Sequence, residues 1–145
     1  IQFLGRGIHM PIAYEGALKF KELTYMEAGS YPLGELKHGP MAVIDDMSLS
    51  VVILPKDDLF SIGSISIEQI KSKSGRLLVI TDEEGAKSPV MRLADEIIVI
   101  PKLNNPVMYP LIEVLPLQLF AYYFAKQLGN NIDKPRNLAK SVTVQ

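Results

Sequence analysis

Three charged residues, Glu15, Lys19 and Glu22, are spaced by four and then three positions. Positions three and four apart share one face of an α-helix, so the spacing predicts a single polar stripe with an amine beside carboxylates. A carboxylate of this kind can move a proton between adjacent carbons of a sugar. The same pattern is also typical of a solvent-facing set of ion pairs, and the spacing alone leaves both interpretations open.

A histidine in a turn-rich loop is the second candidate group. Residues 28–40 are dense in turn formers, and connections of this length in compact domains are often functional. His38 is followed by Gly39, which permits unusual backbone angles, and by Pro40, which restrains the residue before it. We therefore expect the imidazole of His38 to be held in one direction. The other histidine, His9, lacks such a frame and is interpreted as incidental.

The C-terminal segment contains the third candidate. Residues 134–144 read Lys-Pro-Arg-Asn-Leu-Ala-Lys-Ser-Val-Thr-Val and show no hydrophobic period of a core element. Lys140 lies only five residues from the end of the chain. A lysine on a tail can close over a cleft, and its amine is a usable nucleophile towards a carbonyl. A solvated tail without a chemical role is the alternative.

The elements that must position these groups follow from hydrophobic patterning. Nearly continuous apolar runs are typical of strands buried on both faces of a sheet, and they occur at residues 1–4, 50–54, 77–81 and 96–100. Helices bounded by proline, acidic residues or glycine are predicted over residues 11–26, 57–74 and 109–128. We expect Ala13, Ala17, Phe20 and Thr24 to form the core face of the first helix.

Strands that alternate with helices predict an α/β fold, a three-layer αβα sandwich around a parallel sheet of four or five strands. We expect one domain over residues 1–145, with residues 130–145 as a C-terminal tail. Ligand sites in such sheets lie at the carboxyl ends of the strands, which here are residues 5–7, 55–57, 81–84 and 101–102. The stripe on the first helix is expected to face a cleft near the Gly5-Arg6-Gly7 turn.

Composition excludes several classes of function. A net charge of −1 without a block of Lys and Arg argues against nucleic acid or an anionic membrane as a partner. The chain has no cysteine, which excludes disulfides and thiolate metal sites and is compatible with a cytoplasmic location. P-loop, His-x-x-x-His and Gly-x-Ser-x-Gly motifs are absent, and we expect no metal and no cofactor.

Because the sequence starts with Ile1 and opens into an apolar run, we expect a piece of a longer polypeptide.

Three stretches together resemble one enzyme family. Residues 5–22, 34–40 and 133–144 are similar to the first helix, the histidine loop and the C-terminal tail of the second sugar-isomerase (SIS) domain of glucosamine-6-phosphate synthases, the glutamine:fructose-6-phosphate amidotransferases. The resemblance covers essentially the whole chain. The tail is its most specific part, because SIS domains in general share the other two stretches more loosely. A flavodoxin-like SIS fold and a cytoplasmic homodimer are implied.

The resemblance also implies a reaction. In this family, ammonia released from glutamine in a separate domain reaches the isomerase half, where fructose 6-phosphate becomes glucosamine 6-phosphate. On the matching positions, Lys140 forms a Schiff base with the open-chain ketose and Glu22 moves the proton between C1 and C2. His38 assists ring opening and acts across a dimer interface in the neighbouring subunit's site.

Further positions have auxiliary roles in the resemblance. Lys19 and Glu15 are acid/base and positioning groups, and the backbone of Ala139 touches the sugar. The family holds the sugar phosphate in a Ser/Thr-rich loop of the first SIS domain and releases ammonia in a cysteine-led glutaminase domain, neither of which this sequence contains. We therefore expect those two domains as partners and expect the isolated chain to be inactive.

Other readings are a sugar-phosphate-binding SIS module of a transcriptional regulator and a deglycase-like SIS enzyme that uses the carboxylate and histidine alone. The lysine tail argues against both. A purely architectural half that supports dimerisation is a third reading, which can hold for the chain even when the parent is an enzyme.

Overall fold

The centre of the molecule is a parallel sheet of five strands. The structure is a computed structural model and describes residues 1–138. In chain order the strands are β1 (Gln2–Gly5), β2 (Gly29–Pro32), β3 (Leu49–Ile53), β4 (Arg76–Asp82) and β5 (Glu96–Ile100). They lie in the order β2-β1-β3-β4-β5, and every neighbouring pair is parallel. The helices are α1 (Met10–Thr24), α2 (Phe60–Lys71) and α3 (Tyr109–Gln127), and short 3₁₀ turns occupy several connections.

Two separate cores lie on the two faces of the sheet. Phe3, Val51 and Ile80 point to the face that α1 and α3 cover, and their neighbours Leu4 and Val52 point to the face that α2 covers. Because both faces are covered, the central strands consist of almost continuous apolar residues. The predicted αβα sandwich and the four predicted strands are confirmed.

Helix α1 is positioned at its start by a glycine and on its inner side by small residues. A Cβ added to Gly5 would lie 2.4 Å from the carbonyl oxygen of His9, so only glycine fits the turn between β1 and the helix. The predicted core face is confirmed, because its four residues are buried: Ala13, Ala17, Phe20 and Thr24. The helix ends at Tyr25, which has the left-handed backbone angles φ 61° and ψ 18°.

The sequence predicts one loop over residues 28–40, but the structure places strand β2 within it. Gly29–Pro32 pairs with β1 at the edge of the sheet, and Leu33–His38 and Pro40–Val43 then form 3₁₀ helices. The strand was missed because Gly29, Ser30 and Pro32 are typical of turns. An edge strand that pairs on one side tolerates such residues.

Strand β5 also differs from the expectation that it is buried on both faces. It lies at the other edge of the sheet and pairs only with β4. Ile97 is 36% exposed and Val99 is 52% exposed. Its apolar run therefore reflects a surface that the described part of the chain leaves uncovered.

Helix α3 is apolar on most of its circumference. The segment Pro106–Gln127 is long and apolar enough to cross a membrane by length and composition alone. In this fold, however, Leu117 and Ala121 pack against the sheet and α1, and Glu113 is fully buried beside His9. These contacts are those of a core helix in an α/β domain.

Candidate active site

The structure brings the three charged residues of α1 together, as their spacing predicts. The Nζ atom of Lys19 donates a hydrogen bond of 2.6 Å to Oε2 of Glu22 and lies 3.8 Å from Oε1 of Glu15. All three side chains are partly exposed, and Glu22, with 23% exposure, is the most enclosed. The stripe is therefore a preformed carboxylate–ammonium pair that a small molecule can reach.

The charge state of Lys19 follows from these contacts. The hydrogen bond with Glu22 raises the pKa of Lys19 above its ordinary 10.5, partial burial opposes this, and the charges of Glu22 and Glu15 add to it. The amine is therefore a cation at neutral pH and is not a free nucleophile. Its role in this arrangement is to hold Glu22 and to stabilise negative charge nearby.

The sequence predicts that the stripe faces a cleft near the Gly5-Arg6-Gly7 turn. In the structure the stripe does not face this turn. Glu22 lies twelve residues after Met10, which is about 18 Å along a helix. Since α1 returns the chain from the carboxyl end of β1 towards the start of β2, Glu22 lies near the amino ends of the strands, away from the turn. Lys19 lines an apolar groove of about 460 Å³ between α1 and α3 instead.

The described part of the C-terminal segment returns to the same end of α1. The side-chain amide of Asn130 donates a 2.8 Å hydrogen bond to the carbonyl of Leu23, and the backbone N–H of Arg136 donates a 2.9 Å bond to the hydroxyl of Tyr25. The Arg136 guanidinium also lies over the Tyr25 ring, 4.2 Å from its centre. Ala139 and Lys140 lie outside the described residues, so their roles stay predictions.

The loop that presents His38 has the backbone that the sequence predicts. Leu33 and Leu36 are buried and fix the 3₁₀ turn, and Gly39 has φ 140°. The side chain of His38, however, is 75% exposed, and its Nε2 atom lies 4.0 Å from Glu35. The loop therefore fixes the backbone, and the single orientation expected of the ring stays a prediction.

His9 belongs to a buried polar cluster and is not incidental as its sequence context predicts. Its Nε2 atom is hydrogen-bonded to Oδ2 of Asp57 at 3.0 Å, and its Nδ1 atom lies 2.7 Å from Oε1 of Glu113. Burial by itself lowers the pKa of His9, but the two carboxylates more than offset this and raise it above 6.5. Below this raised pKa, a charged imidazole joins the start of α1 to α3 and to the connection after β3.

Next to this cluster, Tyr109 donates a 2.5 Å hydrogen bond to Asp82. Burial, and then the bond to Asp82, raise the pKa of Tyr109 to about 12. An open cavity of about 740 Å³ lies beside them at the carboxyl ends of the strands, where the fold class predicts ligand sites, and Gly7, Lys56 and Lys102 line it.

The positions of His9 and Asp57 along the sequence were an indication that these residues could meet in a cluster. His9 comes soon after β1 and Asp57 comes soon after β3, and the chain order reverses between these two neighbouring strands. The two carboxylates lie on opposite nitrogens of the His9 ring, so they do not converge on a common point. Within residues 1–138, no group of three or more His, Asp or Glu side chains is arranged to hold a metal ion.

Comparison with known proteins gives similarity over almost the whole chain. The isomerizing glutamine–fructose-6-phosphate aminotransferase of Thermus thermophilus is 45% identical over 143 residues, which are 99% of this chain and 23% of that protein. The chain thus spans about a quarter of the length of the curated relatives it matches.

Among solved structures, the C-terminal domain of the glucosamine-fructose-6-phosphate aminotransferase of Francisella tularensis superposes with a TM-score of 0.86 at 33% identity, over 92% of this chain and 37% of that one. The tagatose-6-phosphate ketose/aldose isomerase of Escherichia coli shares the fold, with a TM-score of 0.79 at 24% identity over 91% of this chain and 37% of that one. The sequence profile of the SIS domain family matches residues 1–126. The chain therefore belongs to the SIS domain family.

Proposed function

We propose that this chain is the second SIS half of the isomerase part of a glutamine–fructose-6-phosphate aminotransferase, with residues 1–145 as one domain and residues 130–145 as its active-site tail. Similarity to relatives of that name over 99% of the chain supports the assignment. The observation that carries it is the Lys19–Glu22 pair at the end of α1 to which the C-terminal segment returns. An amine nucleophile and a proton-transferring carboxylate are what the conversion of a ketose into an amino-aldose requires.

The conversion of fructose 6-phosphate and ammonia into glucosamine 6-phosphate and water needs no oxidant or reductant. The amine of Lys140 adds to the ketone carbon of open-chain fructose 6-phosphate, and water leaves to give an imine. Ammonia then adds to the same carbon and releases the lysine amine. Glu22 removes a proton from C1 and a proton returns to C2, while the proton of the C1 hydroxyl moves to the imine nitrogen. These steps yield the aldehyde and the amine of glucosamine 6-phosphate. Lys19 stabilises the charge on Glu22, Glu15 supports Lys19, and no cofactor takes part.

Chain length allows Lys140 to take this role. It is the fourth residue after Arg136, which is held at Tyr25, so the connecting backbone spans at most about 14 Å. Tyr25 itself follows Glu22 by three residues. In the same proposal the backbone of Ala139 contacts the sugar, next to the lysine that reacts with it.

His38 is proposed to act in a second subunit. With 75% of its side chain exposed, it is free to enter a site on another copy of the chain and assist ring opening there. We therefore propose a homodimer in which each active site uses the His38 of its neighbour. The enzyme is proposed to be cytoplasmic, with no nucleic acid or membrane as a partner.

The first SIS domain and the glutaminase domain are proposed as partners in the same polypeptide. Most of the length of the relatives lies outside the region that this chain matches, which leaves room for both. We place the first SIS domain on the apolar surface formed by α1 and α3, where Leu18, Leu111, Leu115 and Leu119 are each about half exposed or more. This domain supplies the phosphate-binding loop, so the isolated chain is inactive.

Substitution of Glu22 tests the proposal in the complete enzyme. Glu22→Gln is expected to reduce formation of glucosamine 6-phosphate by about 10²–10⁴-fold, the usual cost of removing a general base. Glutamine hydrolysis is expected to remain, because it takes place in another domain. Both rates are measured on one preparation.

The matched control is Glu27→Gln, because Glu27 lies close to α1 but is 87% exposed and, within residues 1–138, pairs only with Lys21. Its synthase activity is expected to stay near that of the wild type. Equal loss of synthase and glutaminase activity in Glu22→Gln indicates misfolding instead of lost chemistry, whereas unchanged synthase activity contradicts the assigned role.

A further inference from the structure

Tyr25 occupies a backbone position that is unfavourable for its residue type. Its φ of 61° places it in the left-handed region that ends α1, where glycine is the common residue because it has no Cβ. A side chain at such a position is retained when the surrounding structure holds it there. The contacts of Tyr25 therefore indicate what its side chain contributes.

Those contacts join Tyr25 to the C-terminal segment, 111 residues away in sequence. Its hydroxyl accepts the backbone N–H of Arg136 at 2.9 Å, and its ring faces the Arg136 guanidinium at 4.2 Å. A phenol provides both the acceptor and the aromatic face, whereas phenylalanine provides only the face and leucine provides neither. The bond from Asn130 to the carbonyl of Leu23 holds the same segment six residues earlier.

We propose that Tyr25 is the positioning residue that anchors the C-terminal segment at the Glu22 end of α1 and thereby brings Lys140 to the reacting ketone. The inference rests on the proposed function. The anchor holds residue 136, which lies four positions before Lys140 in the sequence. Tyr25 acts through Lys140 and touches no reacting atom.

The test is the rate at which the complete enzyme forms a borohydride-trapped adduct with fructose 6-phosphate on Lys140. Tyr25→Gly removes both contacts and also relieves the left-handed backbone, so the helix end is not weakened. We expect adduct formation about tenfold slower, from the loss of one hydrogen bond and one cation–π contact. Tyr25→Phe retains the ring and is expected to recover part of the rate, to within about threefold of the wild type.

Two further variants separate positioning from damage to the fold. Arg136→Met is expected to slow the adduct by a few-fold and to add little when combined with Tyr25→Gly, because both changes remove the same contact. Arg92→Met, an exposed arginine on the far face of the sheet, is the matched control. A positioning role lowers the rate of adduct formation but leaves its final amount unchanged, whereas partial unfolding lowers the final amount.

The outcomes are distinct. A wild-type rate in Tyr25→Gly overturns the inference and leaves the proposed function standing. Full additivity of Tyr25→Gly and Arg136→Met also overturns it, because the two residues then act separately. The absence of any adduct on Lys140 in the wild type contradicts the proposed function and, with it, the inference.

Discussion

Among single residues, His9 links the protonation of the chain to its stability. The folded structure holds the pKa of His9 above 6.5, its ordinary value, through Asp57 and Glu113. A raised pKa means that the folded state favours the charged ring. The resulting stabilisation is complete below about pH 6.5 and is lost as the pH rises through the folded pKa.

We therefore expect His9→Gln to lower the free energy of unfolding most at acidic pH, by about 1.5–3 kcal/mol, the range for a hydrogen bond to a charged group. The difference from the wild type is expected to shrink above the folded pKa of His9. Urea unfolding of the 145-residue chain across a series of pH values measures both.

The chain has two histidines, so His38→Gln is the matched control for this experiment. His38 is exposed, and its substitution is expected to leave the pH profile of stability unchanged. If the stability difference between wild type and His9→Gln is the same at every pH, the cluster does not work through a charged imidazole.

At the scale of elements, the turn between β1 and α1 positions every group on the helix. A Cβ at Gly5 would meet backbone atoms of His9 at 2.4 and 2.7 Å, and backbone atoms cannot move aside as a flexible side chain can. We expect Gly5→Ala to lower the free energy of unfolding by about 1–3 kcal/mol through overpacking. Urea unfolding of the 145-residue chain measures this effect.

Gly129→Ala provides the comparison, because Gly129 has φ 74° but no atom within 4 Å of an added Cβ. Only the cost of the left-handed backbone is expected there, about 1 kcal/mol. An equal loss in the two variants shows that steric crowding at the start of α1 is not the cause.

The elements show what hydrophobic patterning can predict and where it fails. Strands β3 and β4 were recognised because both faces of the sheet are covered, which makes their sequences continuously apolar. Strand β2 was missed because an edge strand of four residues with glycine and proline has the composition of a turn. The exposure of β5 was not predicted, because an apolar run does not indicate whether the residues that pack against it belong to the same chain.

The candidate site was predictable where it depends on spacing within one helix. Glu15, Lys19 and Glu22 meet because residues three and four apart share a helix face. The His9 cluster joins residues that are 48 and more positions apart, and only the order of the strands brings them together. The return of the tail to Tyr25 is a contact of the same long-range kind.

For the whole molecule, the exposed apolar surface of α1 and α3 predicts self-association in solution. Leu115 and Leu119 are each 54% exposed and line the groove beside Lys19. Exposed apolar patches of this kind mark interaction sites. Without the domain proposed to cover it, the 145-residue chain is expected to self-associate as its concentration rises. Leu115→Lys is expected to reduce this association, as measured by sedimentation velocity.

Met47→Lys is the matched control, because Met47 is 82% exposed but lies in the connection before β3. It is expected to associate as the wild type does. If Leu115→Lys and Met47→Lys behave alike, the apolar surface of α1 and α3 does not drive association.

The most direct test of the central claim is to find which lysine reacts with the sugar. The complete enzyme is incubated with fructose 6-phosphate and borohydride, and the modified peptide is identified by mass spectrometry. Lys19 is held as a cation by Glu22, so we expect the adduct on Lys140 and none on Lys19. Lys140→Arg keeps the charge but cannot form an imine, so it is expected to abolish both the adduct and synthase activity in a folded protein. An adduct on Lys19 with Lys140 unmodified would contradict the account.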